Sequence, residues 1–503
     1  MSSDRRLKFL VFNPFIGGGH TGQMERIENV LAEAGHEVVN FQPFFRESGH
    51  TGVLHKSIRT INYTFKEGPL TNQQMGNRGG PARFLEGGFK WKELFVSPVQ
   101  PMGRRYREFC IEMVTDDEFM DKLAAENFDL LIFEFFTAAG AVIGERLGIK
   151  KRIMVSSMPL QFELAKLLGI PSTPSFVPDG IHTENVKGFI GRLKSCVGVI
   201  RTTNFIRGLT YSQGEALKAV RTNKSFKEIL ATCSYFWVNT DEFVDFPRPI
   251  SHKYINIGGL GMADNLKKAT KLPDEIENVF KKAKKGVILA SFGTVTKTAE
   301  LPESYKKGIL NAFAEFPEVE FIWKYEESAD GLPVPLPSNV YLSDWLPQRD
   351  ILLHPKTLGF ITHGGMNSIS EATWSGVPTI VVPLFADQHR NGAMAKRKKV
   401  GEVLSKLDLA KTDVIVEKIG KLVNDESYKE NAQKLAQIIR NKPISPEQRV
   451  VQTAEFAARY DIEEHLDMDG RKLSTIEYYN IDIILVAVAV PAAFVWLTSY
   501  LLF

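Results

Sequence analysis

Two histidines lie among glycines in this chain, His20 in GGGHTG at 17–22 and His363 in THGGMNS at 362–368. Each glycine-rich turn follows a short apolar run and precedes a helical pattern, so each predicts a strand end opening into a helix. Free backbone N–H groups and the positive end of the helix dipole gather at such a point, which suits an anion. In the second turn Gly364 and Gly365 let the backbone approach a diphosphate, with His363, Asn367 and Ser368 as side-chain donors. Glu371, one turn further on, is placed to accept from ribose hydroxyls. Trp345 offers a flat face to a base, and Gln348 a bond to its edge or to the ribose. Asp387 and Gln388, beyond the strand ending at Val382, can hold sugar hydroxyls. Each residue alone is more often an ordinary structural one, but in this order they read as a nucleotide-sugar site.

The first turn, residues 17–22, formally matches GxGxxG and invites a dinucleotide-binding oxidoreductase reading. That reading fails on context, because the second strand, Glu37 to Phe41, ends in no ribose-binding acid. His20 is the better candidate: at a helix start the dipole is expected to lower its pKa and keep a neutral imidazole available as a base. Glu134 follows the run Leu130 to Phe133 and is expected at the mouth of the same sheet, where it would orient the imidazole and stabilise its protonated form. The chemistry implied is removal of a proton from an acceptor hydroxyl. Asp467-Met-Asp469 resembles a metal-binding DxD, but a lone motif in a polar, solvated stretch is weak, and no metal site is expected. The lysine runs at 281–285 and 396–399 read as a helix end and a solvated face.

The elements that must position these groups follow from the alternation of short β-rich runs with helical patterns, which predicts βαβ units and parallel sheets. In the first half the strands are Leu7 to Phe12, Glu37 to Phe41 and Leu130 to Phe133, with helices at Thr21 to Ala34 and Thr137 to Leu147. Residues 43–110 break the rhythm and are expected to be irregular insertions and short helices shaping an acceptor pocket. A second series begins at Gly286 to Phe292 and runs through 319–324, 340–342, 358–362 and 379–382. At 503 residues the chain exceeds one core. The expected division is residues 1–245, an acceptor-binding Rossmann-like domain, and 246–460, a donor-binding one, with a linker in the Pro- and Gly-rich stretch after Asp245. Residues 461–482 are a polar juxtamembrane segment. Residues 483–503 are uncharged throughout and long enough for a transmembrane helix.

Sixty-two basic against fifty-nine acidic residues leave +3, so charge gives no case for nucleic acid. Cys110, Cys196 and Cys233 lie far apart without CxxC spacing and imply neither zinc nor a disulfide framework. The sequons at Asn62 and Asn223 are about what chance supplies in this length. Leu7 to Phe12 fits a buried strand better than a signal peptide, so the anchor's orientation, lumenal or cytosolic, stays open.

WLPQ at 345–348, followed by HPKTLGFITHGGMNSISEATWSGVPTIVVPLFADQ at 354–388, resembles the UDP-glycosyltransferase signature, especially that of the animal membrane-bound UDP-glucuronosyltransferases. The likeness extends to Ser291, Gly293 and Thr294, which resemble a family phosphate loop, and runs from Leu7 to the anchor. It implies a GT-B fold, α/β with two Rossmann-like domains facing a cleft, a UDP-sugar donor in the C-terminal domain, and a small lipophilic acceptor in the N-terminal one. It further implies inversion at the anomeric carbon without a metal, a UDP-sugar as co-substrate rather than cofactor, and residence in the endoplasmic reticulum with a role in xenobiotic conjugation. By the same resemblance Trp345, Gln348, His363, Gly365, Asn367, Ser368 and Glu371 hold UDP, Asp387 and Gln388 hold the sugar, and Glu134 replaces the family's Asp beside His20. For a glucuronate carboxylate the cation expected is Arg390, with Arg248 as second choice; UDP-glucose is the alternative donor. A homo- or hetero-oligomer is left open. The competing function is a catalytically inactive, UDP-sugar-binding partner subunit of a related transferase.

Overall fold

The computed structural model describes residues 5–45, 52–68, 97, 99–171, 173–178, 186–262, 271–294 and 296–502. Much of the expected acceptor-shaping stretch, residues 69–96, lies outside the described residues.

Strands β1 (Lys8–Phe12), β2 (Glu37–Pro43), β3 (Arg59–Tyr63), β4 (Leu130–Glu134), β5 (Arg152–Ser156), β6 (Tyr235–Val238) and β7 (Tyr254–Asn256) form one sheet in the order 3-2-1-4-5-6-7. Strands β8 (Gly286–Ser291), β9 (Val319–Lys324), β10 (Val340–Ser343), β11 (Thr357–Thr362), β12 (Thr379–Val381) and β13 (Gly401–Val403) form a second in the order 10-9-8-11-12-13. Every pairing is parallel. Parallel strands need crossovers that cover both faces, which is why the strands read as continuous apolar runs. In β1, Phe9 and Val11 enter one core and Leu10 and Phe12 the other, all fully buried. The second sheet divides in the same way, with Ile288 and Ala290 on one face and Val287 and Leu289 on the other.

Both sheets reverse their strand order at one place, between β1 and β4 and between β8 and β11. Crossovers leave such a point in opposite directions, so a crevice opens at the carboxyl ends of the two strands. The two histidine turns sit there. Helix α1 (Gly18–Glu33) follows β1, and helix α2 (Met366–Ser375) follows β11. Met24, Ile27 and Leu31 seat α1 on the sheet, as the helical spacing predicts.

The expected domain boundaries need correction. A strand, β7, and the buried ion pair of Asp245 with Arg390 at 2.5 Å occupy the stretch read as a linker, so the first unit runs past residue 245. Nor does the second unit keep all residues to 460. Helix α3 (Pro446–Arg459), opened by Pro446 and a Ser445–Gln448 capping box, returns to the first sheet. Its Val450, Ala454, Ala457 and Ala458 pack with Met24, Ile27 and Leu31. The polar segment that follows is docked rather than solvated: Asp467 pairs with buried Lys253 at 2.6 Å and with Arg471, which accounts for the lone DxD. Helix α4 (Ile481–Leu502) has no buried residue and is long and apolar enough to cross a membrane.

Candidate active site

His20, in the first turn of α1, lies with Nδ1 3.3 Å from Glu134 Oε1 at the end of β4. Glu134 is 2% exposed, and its carboxylate is fixed by the N–H of Phe136 at 2.5 Å and of Ser157 at 3.3 Å. A carboxylate so placed accepts from Nδ1–H, which leaves Nε2 as the free lone pair. The pKa runs against the dipole expectation. Burial pulls His20 down, but the charge and hydrogen bond of Glu134, with Asp387 in support, outweigh it and the net direction is up. A carboxylate in contact outweighs the partial charge of a helix start.

A second cluster assembles around α2. Gln348 donates to Glu371 Oε2 at 2.6 Å and to Ser368 Oγ at 3.3 Å, so three residues spread over 23 positions form one cluster. Burial raises the Glu371 pKa against the pull of Gln348 and Arg26. Trp345 is 55% exposed. His363 packs between two glycines: a Cβ on Gly293 would lie 2.7 Å from its Cε1, and one on Gly365 2.6 Å from its Nε2. Burial, with Lys324 nearby, brings its pKa down to about 4, which keeps the imidazole neutral at neutral pH. Ser291 Oγ accepts from Gly293 N–H at 3.4 Å and shapes this loop. Asp387 is held by Asn391 Nδ2 at 2.8 Å and is raised in pKa by burial. Gln388 uses Oε1 on the N–H groups of Leu384 and Phe385, at 2.8 and 3.0 Å, so its carbonyl sets the loop rather than a sugar.

The two halves meet closely. A Cβ on Gly18 would stand 3.4 Å from Thr294 Oγ1 across the cleft. Asn367 donates to Gly19 O at 3.1 Å and accepts from Asn239 at 3.0 Å and Arg26 at 2.9 Å. Its side chain thus latches the domains, and its backbone N–H, at the second residue of α2, has no intrahelical partner. Asn239 and Arg26 escape sequence reasoning, because only the folded chain brings remote positions to one amide. Asp245 escapes it too. Its bond to Arg390 corrects the reading of Arg390 as a free cation for a sugar carboxylate. Arg248 stands beside this pair with Nε and Nη2 unpartnered among the described residues, and burial, then Arg390, lowers its pKa to about 10. Next to it lies a pocket lined by Met158, Leu160, Phe162 and Phe205, with Asp387 and Arg390 on its wall.

Solved glycosyltransferases share this architecture. LpCGTa in complex with UDP aligns at a TM-score of 0.58 and 15% identity, over 91% of this chain and 100% of that one. UGT2 of Phytolacca americana, complexed with UDP-2fluoro-glucose and pterostilbene, gives 0.58 and 16% over 90% and 100%. The fold is GT-B, two parallel Rossmann-like domains with the switch points facing across a cleft. The family model described as UDP-glucoronosyl and UDP-glucosyl transferase matches residues 9–503, and the chain belongs to that family. It is a UDP-glycosyltransferase. Among its relatives, the putative UDP-glucuronosyltransferase ugt-48 of Caenorhabditis elegans is 31% identical over 96% of this chain and 92% of its own. UDP-glucuronosyltransferase 1A1 of Rattus norvegicus is 27% identical over 95% and 88%.

Proposed function

We propose that the chain transfers glucuronic acid, with glucose as the alternative sugar, from its UDP-sugar to a hydroxyl of a small lipophilic acceptor, with His20 as general base. The observation that carries this is the His20–Glu134 pair facing Asp387 at the cleft, with a largely apolar cavity beside it. Glu134 holds Nδ1, and Nε2 takes the acceptor proton. The acceptor oxygen then forms its bond to the anomeric carbon as the bond to UDP breaks, inverting that centre. The departing diphosphate is met by the free N–H groups of α2 and by neutral His363, so this reading calls on no metal.

The preference for glucuronate rests on charge. Arg390 is paired with the carboxylate of Asp245, while Nε and Nη2 of the neighbouring Arg248 have no partner among the described residues and suit a further carboxylate. With Arg390 committed, Arg248 is the better partner for it. Helix α4 anchors the enzyme in a membrane, with the endoplasmic reticulum expected, and protease protection in sealed microsomes reports which side the domains face.

The test is UDP release by the purified full chain with a simple phenol and either UDP-glucuronate or UDP-glucose. Release that is faster with UDP-glucuronate, and loses that preference in Arg248→Ala, supports the reading. UDP binding without release from either donor would instead favour the inactive partner subunit.

A further inference from the structure

Arg26 belongs to α1, in the acceptor domain, yet its guanidinium is built into the donor half. Its Nη2 donates to Asn367 Oδ1 at 2.9 Å, at the second residue of α2. Gln23 Oε1 holds the same nitrogen at 2.9 Å and Nε at 3.3 Å, which fixes the plane of the group. Nη1 makes no hydrogen bond among the described residues. The approach is close because glycine lines the opposite wall: the carbonyl of Gly19 accepts from Asn367 at 3.1 Å. On the other side, a Cβ on Gly261 would come within 3.2 Å of Arg26 Cδ. A charged side chain gripped at this many points is not a solvated surface arginine.

From this placement we propose that Arg26 is a diphosphate-binding residue contributed by the acceptor domain, so that the donor is clamped by both halves of the cleft. The inference rests on the donor site lying at the start of α2. There the N–H groups of Met366, Asn367 and Ser368 have no intrahelical partner, and His363 supplies only a neutral donor. A nucleoside diphosphate carries more charge than these neutral groups balance. Arg26 is the guanidinium bonded to that helix start, and its fork suits two phosphate oxygens. The rival role is to neutralise Glu371 on the ribose side. Glu371 already accepts from Gln348 at 2.6 Å, and the hydrogen bond of Arg26 goes to the helix start instead. Burial lowers the Arg26 pKa while Glu371 opposes it, so the group stands partly desolvated before ligand arrives. A phosphate partner would restore what burial removed.

The experiment measures UDP, UMP and uridine affinity by calorimetry on the full chain and its Arg26→Ala, Arg26→Lys and Trp345→Ala variants. Arg26→Ala is expected to weaken UDP by roughly 10- to 100-fold, the loss of a hydrogen-bonded charge, with uridine within twofold of wild type. Arg26→Lys should recover part of the UDP affinity. Trp345→Ala should weaken uridine and UDP alike. Unchanged UDP affinity in Arg26→Ala overturns the inference, as does a loss for uridine equal to that for UDP, which would assign Arg26 to Glu371 or to folding. UDP affinity in Trp345→Ala equal to that of the wild type overturns the donor-site reading itself, and this inference with it.

Discussion

His20 sits where opposing influences meet: burial favours the neutral imidazole and Glu134 the charged one, and Glu134 wins. A general base works only when deprotonated. With a folded pKa above the ordinary 6.5, activity should therefore rise with pH through a limb lying above that value and fall away in acid. Glu134→Gln keeps the shape of the side chain and removes its charge, so that limb in kcat/KM should move to lower pH while the plateau drops. A limb that stays in place would mean that another group is being titrated. His20→Ala should lose about 10²- to 10⁴-fold in turnover, the usual contribution of a general base, with UDP affinity unchanged by calorimetry. Turnover within threefold of wild type would remove His20 from the mechanism.

At the scale of the element, each half of the site is one strand, one glycine-bearing turn and one helix. Gly364 has φ +83°, and a Cβ there would lie 2.4 Å from Val381 Cγ1. Gly364→Ala therefore adds left-handed strain to a steric clash and should cost about 2–4 kcal/mol, read as a lowered midpoint of urea unfolding. Gly331→Ala, where a Cβ meets nothing within 4 Å, should leave the midpoint in place. These turns were legible in the sequence because strand, glycine and helix are local patterns: β9 runs Val319–Lys324 as read, and α2 begins at Met366, just after the glycines. Gln348, Ser368 and Glu371 were legible as a group for the same reason, since 24 residues span them all. What escaped was set by long-range packing. The commitment of Arg390 to Asp245 joins positions 145 residues apart, and Asn239 meets Asn367 across 128. The direction of the His20 pKa escaped too, because it depends on how near Glu134 comes rather than on the helix start alone.

The whole molecule is closed by its own C-terminal chain. After the donor domain, Lys442 pairs with Asp241 at 2.6 Å, Arg449 with Glu242 at 2.6 Å, and α3 inserts its apolar face into the core of the first sheet. The docked segment beyond it ends where α4 begins, so that long apolar helix is tied to the domain of the first sheet rather than swinging from that of the second. Lys253 is central to that tie: it is 1% exposed, and Asp467 lies 2.6 Å from its Nζ. A buried ammonium left without its carboxylate is far more costly than the pair itself, so Asp467→Ala should destabilise the protein by about 3–5 kcal/mol. Replacing both, as Lys253→Met with Asp467→Leu, removes the stranded charge and should recover most of that loss. Acid separates the same contributions. Burial alone would raise the Asp467 pKa, yet Arg471 and Lys253 hold it below the ordinary carboxylate range. The stabilisation from the pair is therefore whole at neutral pH and is lost as pH falls from the ordinary Asp value, about 3.9, through the depressed one. Urea midpoints of the wild type, the single variant and the double variant at neutral pH decide the matter. If Asp467→Ala unfolds with the wild type, the segment is not holding the acceptor domain, and the anchor is tethered only through α3.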